Sequence, residues 1–207
     1  MYSQGRVDLQ QGFTLSFVKK KHMRSDFNKM LGYEQSQMGK ADRYYTEKWK
    51  ANSIERFSWK DPKGRGMQRR GIDCKVQIGK RTILISEKFR SRSYGDMMIE
   101  LQCGNSAGWG ITDTSEILCY FTDRDCYIIR TESMRKVLSD FLTWIKENKV
   151  KFTPPRMKLT FKGHPVLLQE ITSQRDGNVW KAVNLVASWE DLKGLGLKFK
   201  QDSLTGS

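Results

Sequence analysis

The chain of 207 residues reads as an α+β (or α/β) domain, a central mixed β-sheet flanked by helices. Runs rich in β-branched and aromatic residues, bounded by Gly, Pro or polar clusters, recur between Ile72 and Val186. Two other stretches, 41–57 and 133–148, carry apolar residues at helical spacing. The resulting order is helix, three strands, a strand pair, helix, then more strands. The length suits one compact domain with extensions, or at most two small ones.

Residues 1–39 read as a basic N-terminal arm. They hold K-K-K-H-M-R (Lys19 to Arg24), and only Phe13 to Val18 has strand character. Such an arm either touches phosphate or is a poorly ordered leader. A core follows over 40–150. Ala41 to Phe57 is expected to be a helix with Tyr45, Trp49, Ile54 and Phe57 on its apolar stripe. D-P-K-G-R-G (Asp61 to Gly66) reads as a loop, because Pro and Gly punctuate it. Strands are expected at Ile72–Ile78 and Thr82–Phe89, joined by Gly79-Lys80, with a third at Met97–Leu101.

Cys103 to Gly110 is a Gly-rich turn without phosphate-loop spacing. Ile117–Phe121 and Cys126–Arg130 pair around T-D-R-D. Ser133–Asn148 is a helix, with Val137, Leu138, Phe141, Leu142 and Ile145 at helical spacing and Ser133 as its cap. Thr153-Pro154-Pro155 breaks the pattern. Strands near Leu159, Val166–Ile171 and Val179–Val186, and a short helix from Trp189, fill 151–200 and complete or flank the core sheet. Residues 201–207 are expected to be a fraying tail.

Lys and Arg number 37 against 23 Asp and Glu, a formal charge of +14. That excess favours a polyanionic partner through counterion release. Nucleic acid fits first and an anionic membrane surface second. No apolar run approaches the ~20 residues of a membrane span, so no membrane is expected as partner. The start M-Y-S-Q-G-R has no signal-peptide core. Cys74, Cys103, Cys119 and Cys126 include no C-x-x-C pair, and His22 and His164 lie apart, which argues against structural zinc. Scattered cysteines at this length point to a reducing, cytoplasmic compartment.

The hairpin from Arg69 to Arg90 concentrates the chemistry. Asp73 lies near the start of its first strand, and Glu87 and Lys88 near the end of its second. Phosphodiester hydrolysis needs a nucleophilic water, neutralised phosphate charge and a stabilised leaving oxygen, and Mg²⁺ on carboxylates serves all three. Two or three acids suffice, because Mg²⁺ keeps several waters. A charged Glu-Lys pair in an otherwise apolar strand is costly unless paired or metal-bound. Glu100 and, more weakly, Glu47 are further acids. Arg69, Arg70, Lys75, Arg90 and Arg92 flank the motif and are the candidates for holding a phosphate backbone. Taken singly, each reads as a solvated surface charge; their clustering around the acidic motif is what points to phosphate.

The segments G-I-D-C-K-V-Q-I, I-L-I-S-E-K-F-R and Y-G-D-M-M-I-E-L, then G-W-G and C-Y-I-I-R-T-E-S-M-R-K-V-L, resemble the PD-(D/E)XK nuclease superfamily, and most its phage-encoded branch. The resemblance covers roughly residues 40–145. It implies a restriction-endonuclease-like core, DNA as partner, and DNA hydrolysis dependent on Mg²⁺, with Mn²⁺ as the alternative metal. It makes Asp73 a catalytic metal ligand, Glu87 the second acid and metal ligand, and Lys88 the catalytic lysine; Glu100 is a further candidate metal ligand beside them. It also implies the host-cell cytoplasm, and makes a homodimer an option.

One departure stands out. The superfamily spaces the second acid two residues before the lysine, on one strand face, and here that slot is Ser86. A bulge at 86–88 could turn Glu87 inward. Glu100 or Glu47 could replace the missing acid. Alternatively Glu87 is a ligand and Arg90 replaces the lysine. A fourth option is a catalytically inactive nuclease fold that binds DNA or associates with the virion. A basic structural protein with acidic protein partners is the remaining class.

Overall fold

The computed structural model describes residues 24–175 and 178–204. In chain order these form β1 (Arg24–Asp26), α1 (Phe27–Lys48), β2 (Ser53–Arg56), α2 (Pro62–Gln68), β3 (Cys74–Ile78), β4 (Arg81–Phe89), β5 (Asp96–Cys103), β6 (Ser106–Ala107) and α3 (Trp109–Thr112). Then come β7 (Ile117–Phe121), β8 (Asp125–Arg130), α4 (Thr131–Glu147), β9 (Arg156–Phe161), β10 (His164–Arg175), β11 (Asn178–Ser188), α5 (Trp189–Gly194) and β12 (Phe199–Ser203). The fold is α+β, with mixed sheets flanked by helices.

There are two six-stranded sheets rather than one. The hairpin sheet has the order β12-β8-β7-β4-β3-β2, and its β4–β7 pair is parallel. The C-terminal sheet has the order β1-β10-β11-β5-β6, with β9 on the other side of β10. The strands expected over 151–200 therefore divide. β9, β10 and β11 join β5, whereas β12 pairs with β8. Parallel strands need a crossover rather than a tight turn. Here β5, β6 and α3 supply it, so the chain leaves one sheet for the other and returns. That excursion brings Glu100 and the Gly-Trp-Gly segment beside the end of β4.

Strand alternation sorts the hairpin sheet into two faces. Val76, Ile83, Ile85, Cys119 and Phe121 pack beneath α1, against Ala41, Tyr44 and Tyr45. Leu118, Tyr120, Tyr127 and Ile129 face the other way. They share a core with the α4 stripe Met134, Val137, Leu138, Phe141 and Ile145, and with Ile99, Leu168 and Leu185 of the C-terminal sheet. The hairpin sheet is thus a middle layer. Cys74, Cys119 and Cys126 are buried, and all four cysteines are free thiols.

Several boundaries differ from expectation. Of the expected basic arm, residues 1–23 lie outside the described residues, whereas 24–26 form β1 and 27–39 open α1. The helix expected to run to Phe57 ends at Lys48, and Ile54 lies in β2 instead. The expected loop at Asp61 to Gly66 is mostly α2. Asp61 Oδ2 accepts from the Gly64 N–H at 2.6 Å, and Pro62 sits in the first turn, where its missing N–H costs nothing. α4 begins at Thr131, and the Ser133 hydroxyl donates to the Arg130 carbonyl rather than capping. In the expected tail, Gln201–Ser203 pair with β8.

Candidate active site around Lys88

Glu87 and Lys88 lie on a regular strand. The β4–β7 register runs from Ile85↔Ile117 to Phe89↔Phe121 without a shift, so no bulge turns Glu87 toward Lys88. Glu87 lies on the α1 face with Ile83 and Ile85. Its carboxylate is buried and accepts from Arg56 Nη1 at 2.7 Å and from the Tyr45 hydroxyl at 2.9 Å. Arg56 is held in turn by Asp42 at 2.7 Å. Burial raises the Glu87 pKa, and the Arg56 contacts oppose that rise. Expected to be a catalytic acid and metal ligand, Glu87 instead has its oxygens engaged by Arg56 and Tyr45 in a buried network.

Lys88 lies on the opposite face with Ser86. Its ammonium donates to the Glu87 carbonyl at 3.0 Å and the Ser86 hydroxyl at 3.3 Å, and it sits 3.6 Å from Asp73 Oδ2. Asp73 immediately precedes β3, and its N–H donates to the Ile85 carbonyl. Its Oδ2 accepts from the Glu87 N–H at 2.7 Å, which fixes the carboxylate across the hairpin. About a quarter of the Lys88 and Asp73 side chains remains exposed (23% and 28%), so a ligand can reach them.

Glu34, Glu100 and Asp113 complete the surroundings. Glu34 comes from the first half of α1 and feels both Lys88 and Asp73. Glu100 comes from β5, where its Oε1 accepts from the Trp109 N–H at 3.3 Å. Asp113 follows α3, and its Oδ1 accepts from the Ser115 N–H at 2.9 Å. The Trp109 ring lies 5.3 Å from the Lys88 ammonium, within cation–π reach. Two glycines make this approach possible. A Cβ on Gly108 would lie 2.4 Å from the Glu100 carbonyl oxygen, and one on Gly71, whose φ is +76°, would lie 2.9 Å from Asp113 Cα.

The acids around Lys88 and the ammonium shift one another's titration. Burial raises the pKa of Glu34, Glu100 and Asp113, and Asp73 pushes Glu34 up further. Lys88 lowers each of the three. Burial pulls Lys88 down, but Asp73 foremost, then Asp113 and Glu34, outweigh it, and its pKa is raised. Lys88 is thus an ammonium at neutral pH, a charged hydrogen-bond donor rather than a base.

The Mg²⁺ implied by the sequence fits this donor set in chemistry. The donors are hard oxygens, and Asp113 Oδ2 is buried without a well-formed hydrogen bond. Asp73, Asp113 and Glu34 also act electrostatically on the one Lys88 ammonium. No closed cage exists: among the described residues, no group of three or more His, Cys, Asp or Glu is placed to hold a metal ion. Mg²⁺ commonly takes one or two carboxylates and keeps its waters, and Asp73 and Glu34, which feel each other's charge, are donors of that kind.

The remaining expected residues are dispersed. Glu47 is exposed thirteen residues beyond Glu34 on α1, about 20 Å away at the helical rise. Lys75 is ion-paired with Glu55. Arg90 is bound to Asp96 and lies 4.6 Å from the Tyr94 ring centroid. Arg69, Arg70 and Arg92 are exposed. Glu34 and Asp113 escape sequence reasoning because neither lies in a recognisable motif. Comparison with protein-family models, with curated proteins and with solved structures finds no match for the chain.

Proposed function

We propose that the protein is a metal-dependent deoxyribonuclease with a restriction-endonuclease-like core, hydrolysing phosphodiester bonds at the pocket around Lys88. The observation that carries this reading is the Lys88 ammonium, 3.6 Å from Asp73 across the β3–β4 hairpin and electrostatically coupled to Glu34, Glu100 and Asp113. Mg²⁺, or Mn²⁺ in its place, would be held by Asp73 with Glu34 or Glu100, and supplies Lewis acidity when bound.

The chain's own residues do the rest. Lys88 donates to a non-bridging phosphate oxygen and offsets its charge. The Glu87 N–H holds the Asp73 carboxylate in place. Trp109 covers one side of the ammonium and limits its contact with water. Glu100 takes over the acid role left vacant by Ser86, and Glu87 serves the fold.

The test is cleavage of labelled DNA in Mg²⁺, with EDTA as control. Cleavage that needs the metal and is lost in Asp73→Asn supports the assignment. Cleavage that persists unchanged in Asp73→Asn contradicts it. Ser86 in the acid position favours a second reading, a non-cleaving nuclease fold that binds DNA. That reading predicts salt-sensitive binding with no cleavage in Mg²⁺ or Mn²⁺.

A further inference from the structure

Three large hydrophobic side chains are exposed among the described residues: Trp59, Tyr94 and Val179. Tyr94 is occupied by the Arg90 guanidinium, and Val179 has no ring. Trp59 is 55% exposed. It stands where the chain passes from β2 into α2, within a segment rich in exposed cations. Lys60, Lys63, Arg65, Arg69 and Arg70 accompany it, with Asp61 the lone acid over residues 58–70. Of the five, Lys63 is paired with Glu55. Arg70 contacts the Thr114 hydroxyl, which carries no charge.

This segment is held firmly. Gly64 is buried against the Ser58 backbone, where a Cβ would meet the carbonyl oxygen at 2.4 Å. Gln68 Nε2 donates to the Phe57 carbonyl at 3.0 Å. The Arg70 carbonyl accepts from the Thr114 N–H at 2.8 Å. The platform is also close to the pocket. The Phe57 N–H donates to the Asp73 carbonyl at 2.9 Å, and Trp59 is two residues further on. Two residues of chain beyond a paired position, with Trp59 in a turn, keep the Trp59 Cα within about 13 Å of the Asp73 Cα. That is a reach of a few nucleotides.

An exposed indole among cations, most of them without an ion pair among the described residues, matches the surface that binds single strands: stacking on an unpaired base, with the backbone held electrostatically. We propose that the Trp59–Arg70 segment is a docking platform for single-stranded DNA, with Trp59 stacked on a base near the scissile phosphate. Duplex DNA hides its base faces and gains only the cations. The proposal rests on the nuclease reading for its substrate class, and predicts that the enzyme prefers single-stranded or splayed ends.

Fluorescence anisotropy in EDTA tests it without any cleavage, using a labelled oligothymidylate and a duplex of equal length. Trp59→Ala is expected to weaken single-strand binding about tenfold or more, the range of one lost base–aromatic stack, and duplex binding much less. Trp59→Phe is expected to restore most of the loss. The double variant Lys63→Ala/Arg65→Ala is expected to weaken both ligands alike and flatten their salt dependence. Circular dichroism melts establish that the variants fold. Unchanged single-strand affinity in Trp59→Ala, equal losses for both DNAs, or no single-strand binding by the parent protein overturns the proposal. Because metal is absent, failure here leaves the cleavage test of the nuclease reading untouched, and the reverse also holds.

Discussion

Glu87 and Lys88 are adjacent on β4 yet serve opposite faces. The Glu87 carboxylate is 2.7 Å from Arg56 Nη1 beneath α1, whereas the Lys88 ammonium is 3.6 Å from Asp73 Oδ2 on the other side. Alternation along an unbulged strand makes this separation unavoidable. One half of the dipeptide therefore belongs to packing and the other to the polar pocket.

Breaking the Glu87 network is expected to cost stability. Removing one partner of a buried ion pair leaves an uncompensated charge and typically costs about 3–5 kcal/mol. Arg56→Ala should lie in that range, since the Glu87 side chain is only 2% exposed. Urea denaturation reads the loss. A change below about 1 kcal/mol, on the scale of an exposed pair, would show that the network carries little.

The Gly-Trp-Gly segment should tolerate no side chain at its first position. In Gly108→Ala the new Cβ meets the Glu100 backbone, so the chain must shift; about 1–3 kcal/mol is expected. Gly66→Ala meets open space within a helix and should be neutral or stabilising by up to about 1 kcal/mol. Thermal melts of the two variants should therefore move in different directions.

The two sheets should unfold together, because Leu185 of β11 and Leu118 of β7 lie in one core. Leu185→Ala is expected to cost about 2–5 kcal/mol within a single transition followed by both fluorescence and circular dichroism. Two separated transitions would mean that the C-terminal sheet folds on its own.

The pocket acids give a pH signature. Glu34, Glu100 and Asp113 have raised pKa values in the fold. A raised acid binds its proton more tightly when folded, so its contribution is full below the unfolded value near 4 and is lost as pH rises through the folded value. Divalent cations bind the ionised forms and reverse that loss. Saturating Mg²⁺ at about a hundred times its Kd should raise the melting temperature at pH 7.5 by roughly 5–10 °C. At pH 4 the rise should vanish, and Glu34→Gln/Glu100→Gln should abolish it at pH 7.5. An equal rise at both pH values in the parent protein would place the cation elsewhere.

The sequence made the β3–β4 hairpin legible, because Gly79-Lys80 separates two runs whose ends it pins. It also made α4 legible, since its five apolar positions repeat at helical spacing. The first turns of α1 were not legible. Asn28, Lys29, Gln35, Ser36 and Gln37 make no apolar stripe, and Gly32 and Gly39 lower helix propensity. Glu34 was hidden with them. Period and propensity also say nothing about which sheet a strand joins, so the division into two sheets was invisible. In the candidate site, Asp73 and Lys88 drew attention through the hairpin and the resemblance, and Glu100 as an acid ending an apolar strand. Asp113 was not, because its place depends on Gly71 folding against it.

The most direct measurement compares Mg²⁺-dependent DNA cleavage by Lys88→Met and Glu87→Gln, each corrected for its folded fraction. Lys88→Met is expected to lose at least about a hundredfold, the scale of a proton donor or charge-stabilising group at the reacting centre. Glu87→Gln should cleave within a few fold of the parent protein while being less stable. A folded Glu87→Gln that does not cleave, or a Lys88→Met that does, would contradict the assignment of the site to the Lys88 face.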